Sequence, residues 1–206
     1  MAAAELLLEV GARRLRSAAI AERAGITEST LFRNFGSLED VLVATEQWCW
    51  TEVKNAVSKA NFDAPTDGIR QTLLRDTSAI WNLRSSPTGS VAAYCAFLFL
   101  RRKQEFSLNS DCEPQIQFES RLQGLCRAIC QERGLNDDGK ARLLSTLILN
   151  YMATVWFTWL TMPVGSEDIT DNHDLTINEA QLGVLLLIDR DFVGGADDLG
   201  KYRAAS

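Results

Sequence analysis

The chain has 206 residues, of which 46% are hydrophobic and 23% charged. That is enough for one large domain or for a small domain on a larger one, and it excludes a mostly disordered chain. The net charge of −6 argues against indiscriminate nucleic-acid binding. The charge is unevenly spread, however. Residues 12–38 hold Arg13, Arg14, Arg16, Arg23 and Arg33 against Glu22 and Glu28, a basic island on an acidic body.

The apolar run Ala92–Leu100 is about half a membrane span. Glu5 comes too early for a signal-peptide core, so the expected compartment is the cytoplasm, with no membrane partner. Five cysteines without CxxC spacing read as free, mostly buried thiols. His173 is the single histidine and lies in a polar stretch. HExxH, Glu-x-x-His, GxSxG, GxGxxG and P-loop patterns are all absent. The expectation is a protein that is not an enzyme and carries no metal or cofactor.

In chain order, the periodicity predicts helices almost throughout and no strand. Ala2–Val10 stops at Gly11. Ser17–Ala24 is closed by Gly25, and Thr27 caps a helix that runs to Phe35. Ser37 opens a long helix with Asp40 three residues on, and Pro65 in Asn61–Asp67 breaks it. Gly68–Leu83 follows, then a loop at Ser85–Gly89 and an apolar helix Ser90–Phe106. After a break at Ser107–Pro114 come Gln115–Arg133, Asp138–Thr161, a polar connection Met162–Leu175, and Thr176–Phe192. The fold class is all-α, with about nine helices.

Within Ser17–Phe35, the apolar positions Ile20, Ala21, Ala24, Ile26, Leu31 and Phe35 allow two short helices to pack across a tight turn at Gly25. This is a helix-turn-helix pattern. Its second helix would turn Glu28, Ser29, Thr30, Phe32, Arg33 and Asn34 outward, towards a DNA major groove. The segment from Ile20 through Phe35-Gly-Ser37 to Leu42 resembles the DNA-binding domain of the tetracycline-repressor (TetR) family, and the resemblance runs from Ala3 to Leu42.

The resemblance implies a three-helix DNA-binding domain at residues 1–45 and a helical effector-binding and dimerisation domain at 46–206. It implies a homodimer on a pseudo-palindromic double-stranded operator. Glu28, Ser29 and Thr30 then stand where bases are read, and Arg33 meets guanine or phosphate. Asn34 takes a position that is often His in the family. Arg16, Ser17 and Thr27 contact phosphate, and the amides beside Ser37 form an anion site. Phe32 replaces the usual Tyr and Leu38 a common Lys. Both changes remove phosphate contacts and predict weaker, less salt-dependent binding.

Aromatic residues fill the central helices, with few buried acids evident among them. A small hydrophobic or aromatic effector is expected, with Trp81, Phe97, Tyr151 and Trp156 as the pocket residues. The last two helices carry apolar residues on more than one face, including Leu143, Leu144, Leu147, Ile148 and Leu182–Ile188, as a dimer interface requires. The resulting expectation is an effector-responsive one-component transcriptional regulator, a repressor. The alternative is a dimeric helical ligand-binding or adaptor protein of the same fold with weakened or lost operator binding.

Overall fold

The computed structural model describes residues 1–62, 68–101, 112–135, 137–161 and 181–188. Every regular element among them is helical: α1 (Ala2–Val10), α2 (Ser17–Arg23), α3 (Glu28–Phe35), α4 (Leu38–Phe62), α5 (Ile69–Asn82), α6 (Pro87–Arg101), α7 (Glu113–Glu132) and α8 (Asp138–Thr161). Residues 181–188 are helical too. The expected polar connection Met162–Leu175, His173, and the ends of the helices expected at Phe106, Thr176 and Phe192 lie outside the described residues.

Two helix starts differ from expectation. The Ser85–Gly89 loop is instead a short 3-10 turn, Leu83–Ser85, followed directly by α6. Pro87 occupies the first helical position, where a missing N–H costs nothing. Ser86 caps it by accepting the Gly89 amide at 3.0 Å. Likewise α7 begins at Glu113, two residues early, with Pro114 in its first turn. Both prolines start helices; neither ends one.

The chain divides into two compact units, Met1–Asp63 with Ala79–Phe118, and Ala64–Ser78 with Glu119–Ser206. In the first, α1 and α4 pack on α6. Small residues allow the close approach: Ala3 and Ala4 on α1, Cys49 on α4, and Ala92, Ala93, Cys95 and Ala96 on α6 are all buried. The Cys95 thiol donates to the Ala4 carbonyl at 3.4 Å. Trp50 fills the centre, its ring 6.1 Å from Phe97 in an edge-on contact and 5.5 Å from Phe118. Each such large buried side chain contributes about 1.5–3 kcal/mol.

In the second unit, Leu122, Cys126, Ile129 and Cys130 form the buried stripe of α7. Ala141, Leu144, Ile148, Met152 and Trp156 do the same on α8, and Val184 and Ile188 on residues 181–188. The Arg121 guanidinium grips the buried Asp76 carboxylate with two hydrogen bonds, 2.7 and 3.1 Å. Asp76 and, in the first unit, Glu46 are buried carboxylates, where few buried acids were expected.

All five cysteines are free and buried, as expected. Burial pushes the Cys49 thiol far up, aided by the neighbouring Cys95 thiol, and pushes Cys126 up to about 12. Thiolate, the reactive form, is therefore scarce at neutral pH. In the native protein, a disulfide reagent at pH 8 should modify these thiols far more slowly than in denaturant; equal rates would show that the two helical cores open freely. A second prediction concerns Gly89, where an added Cβ would lie 2.4 Å from the Leu83 carbonyl oxygen. Alanine is the better helix former by about 1 kcal/mol. Gly89→Ala should nevertheless destabilise by about 1–2 kcal/mol in urea titration, because the obstacle is backbone.

Candidate nucleic-acid interface

The helix-turn-helix is built from short pieces, each fixed by a local device. Gly25 adopts φ 68°, and the Ile26 amide reaches back to the Ala21 carbonyl at 3.0 Å, which turns the chain sharply after α2. Thr27 then caps α3, accepting the Thr30 amide at 3.2 Å. Gly36, at φ 78°, closes α3 through its amide to the Phe32 carbonyl, 2.7 Å away. Ser37 and Asp40 form a reciprocal cap on α4: the Asp40 amide donates to the Ser37 hydroxyl at 3.1 Å, and that hydroxyl donates to the Asp40 carboxylate at 2.6 Å.

Of the six apolar positions expected to join the two helices, Ile20, Ala21 and Leu31 are buried. Ala24, Ile26 and Phe35 are exposed, which corrects the expectation. Three short helices have too little interior to enclose them all.

The outward face of α3 takes shape as the pattern implied. Glu28, Ser29, Arg33 and Asn34 are exposed, and Thr30 and Phe32 are half-buried. The hydroxyls are committed locally, because Thr27 also lies 3.1 Å from the Ser29 hydroxyl and 2.9 Å from that of Thr30. Ser17, the first residue of α2, donates its hydroxyl to Glu28 Oε1, the first residue of α3. Arg16 is exposed and folds back onto the Arg13 and Leu15 carbonyls at 3.2 and 2.9 Å. At Ser37 the helix start holds Glu39 and Asp40 in its first turn, so a phosphate oxygen there meets negative charge as well as the helix dipole.

One arginine of the basic island is diverted. Arg23 spans to α1, holding both oxygens of Glu9 at 2.9 and 2.7 Å and approaching Glu5 at 3.5 Å. The hydrogen bond from Arg23 holds the Glu9 carboxyl below its ordinary value, and Glu9 in turn raises Arg23. Sequence patterning had no signal for this clamp, whose members are 14 residues apart. The other arginines of the island, Arg13, Arg14, Arg16 and Arg33, are exposed.

The four expected effector residues fall two to each unit. Trp81 and Phe97 are buried in the first, Trp81 with the Arg84 guanidinium 4.4 Å above its ring. In the second, Trp156 is buried and Tyr151 half-buried, its hydroxyl so close to Gly183 that an added Cβ would lie 2.0 Å away. Trp50 was missed. It is fully buried, touches Phe97, and its Nε1 has no hydrogen-bond acceptor among the described residues.

Residues 1–45 match the family described as bacterial regulatory proteins, tetR family. No curated protein sequence matches the chain. Among solved structures, the fold is similar to the fatty acid degradation regulator FadR from Bacillus halodurans, at 17% identity and TM-score 0.66, covering 92% of both chains. It is also similar to the TetR-family transcriptional regulator PfmR from Thermus thermophilus, at 18% identity and TM-score 0.60, covering 90% of this chain and 94% of that one. A TetR variant from Acinetobacter baumannii in complex with minocycline aligns at 20% identity and TM-score 0.55, covering 91% and 90%.

The clamp between α1 and α2 predicts a pH effect. Because Glu9 is lowered in the folded state, its contribution is present above about 4.5 and is lost as pH falls through the folded value. Glu9→Gln should flatten the acid limb of the stability profile below that pH. An unchanged acid limb would mean that Arg23 does not hold α1 against α2 in solution. Separately, Thr27→Ala should cost about 1 kcal/mol of stability through the lost cap, read by thermal melting.

Proposed function

We propose that this chain, which belongs to the tetR family of bacterial regulatory proteins, is an effector-responsive one-component transcriptional repressor that binds a pseudo-palindromic operator as a homodimer. The observation that carries this reading is the capped helix-turn-helix within residues 1–45, with a polar, exposed outer face on α3. Residues 1–45 would serve as the DNA-binding part and 46–206 as the effector and dimerisation part. Arg16, Ser17, Thr27 and Ser37 would flank the groove, while Glu28, Ser29, Thr30, Phe32, Arg33 and Asn34 would enter it or line it.

Two recognition helices can read one duplex only if something holds them a fixed distance apart. Leu143 on α8 and Leu182 and Leu186 in residues 181–188 are each more than half exposed, at 52%, 55% and 52%. Large exposed aliphatic side chains on both late helices support a dimer interface there. The effector would be a small hydrophobic or aromatic molecule, with Trp81 and Phe97 in one unit and Tyr151 and Trp156 in the other as separate candidate contacts. A small molecule bound to one structural relative, the minocycline complex, supports this class of control. Release follows if the effector binds better to a dimer whose recognition helices no longer match half-sites one helical turn apart.

Selection from random duplex DNA with the purified chain, at two salt concentrations, tests the reading. A palindrome with half-sites about one turn apart, 10 base pairs, is expected. Its absence at both salts would leave a dimeric helical ligand-binding or adaptor protein of the same fold. The diverted Arg23 adds a quantitative expectation. With Arg13, Arg14, Arg16 and Arg33 as the available arginines of each protomer's island, the slope of log K against log salt should be no steeper than about −7 for a dimer. A steeper slope would mean that cations beyond this island reach phosphate.

A further inference from the structure

Glu28 is the one carboxylate on α3, and it stands at the helix start, where base edges rather than phosphates come within reach. Phosphate repels it. A base edge receives it only where a donor is offered, because an ionised carboxylate accepts and never donates. In the major groove the base donors are the N6 amino group of adenine and the N4 amino group of cytosine. Beside N6, adenine presents the N7 acceptor, which opposes a carboxylate, whereas cytosine has no acceptor on its own edge next to N4. The choice therefore falls on cytosine.

The carboxylate is also held in place. Ser17 donates to Oε1 from the start of α2, and Oε2 has no hydrogen bond among the described residues. One oxygen is anchored to the scaffold and the other is left to accept from outside. Since Gly25 and the Thr27 cap fix α2 against α3, this anchor sets where Oε2 points. Ser17 was expected to contact phosphate, but here its hydroxyl proton is engaged by Glu28.

We propose that Glu28 is a specificity-determining residue that accepts a hydrogen bond from cytosine N4 at one base pair of each operator half-site, with Ser17 as its positioning residue. This rests on the operator-binding reading above.

The test uses the full chain and the operator recovered by selection, together with duplexes changed one base pair at a time, symmetrically in both half-sites. Wild type should show one C·G pair per half-site whose replacement weakens binding about tenfold or more. Glu28→Gln should move the preference at that pair, and at no other, towards A·T, because a glutamine amide matches adenine N6 and N7. Glu28→Ala should abolish the preference without creating a new one. Ser17→Ala should reduce the same preference while leaving the salt slope unchanged, and Ser17→Thr, which keeps a hydroxyl, should restore it. If Glu28→Gln and Glu28→Ala keep the wild-type base ranking at every position, the assignment of Glu28 is overturned. If only Ser17→Ala is without effect, its positioning role is overturned. If wild type selects no palindrome at all, the operator reading itself has failed, a different result from a palindrome indifferent to Glu28.

Discussion

An α-helix of eight residues has no business being stable in water, since nucleation costs more than so few hydrogen bonds return. Everything that the first 45 residues do depends on overcoming that deficit for α3. The solution is distributed. Leu31 is buried under the helix, Thr27 satisfies an amide at its start, and Gly36 turns the chain at its end. Gly25 sets the angle at which α2 meets it. The outer face can then carry polar side chains, some of which also serve the cap.

The same logic extends backwards to α1. Its inner side, Ala3, Ala4, Leu6 and Leu7, is buried against the first unit, and its outer carboxylates hold Arg23 at the end of α2. The clamp links the start of the domain to α2 and commits the Arg23 guanidinium to Glu9. Of the five arginines in residues 12–38, one is committed to this ion pair.

Much of this was legible in the residues alone. Thr27 and Ser37 read correctly as caps because capping is local, spanning three residues. The end of α2 followed from Gly25, and the starts of α3 and α4 from that chemistry. Pro87 misled, because a proline among serines and glycine resembles a loop until its place in a first helical turn is seen. The Arg23 clamp and the contacts of Trp50 with Phe97 and Phe118 stayed hidden for another reason. They join residues far apart in the chain, and no periodicity encodes which distant partner a side chain meets. Ile26 and Phe35 show the converse: apolar residues at packing positions remain exposed when the domain is too small to cover them.

The central claim is that α3 enters the major groove of DNA, twice per dimer. Methylation interference at guanine N7 on duplexes retained by the protein tests it most directly, because N7 lines that groove. The account predicts two clusters of interference about 10 base pairs apart, on one face of the duplex. Retention unaffected by N7 methylation, or interference scattered without that spacing, would contradict it.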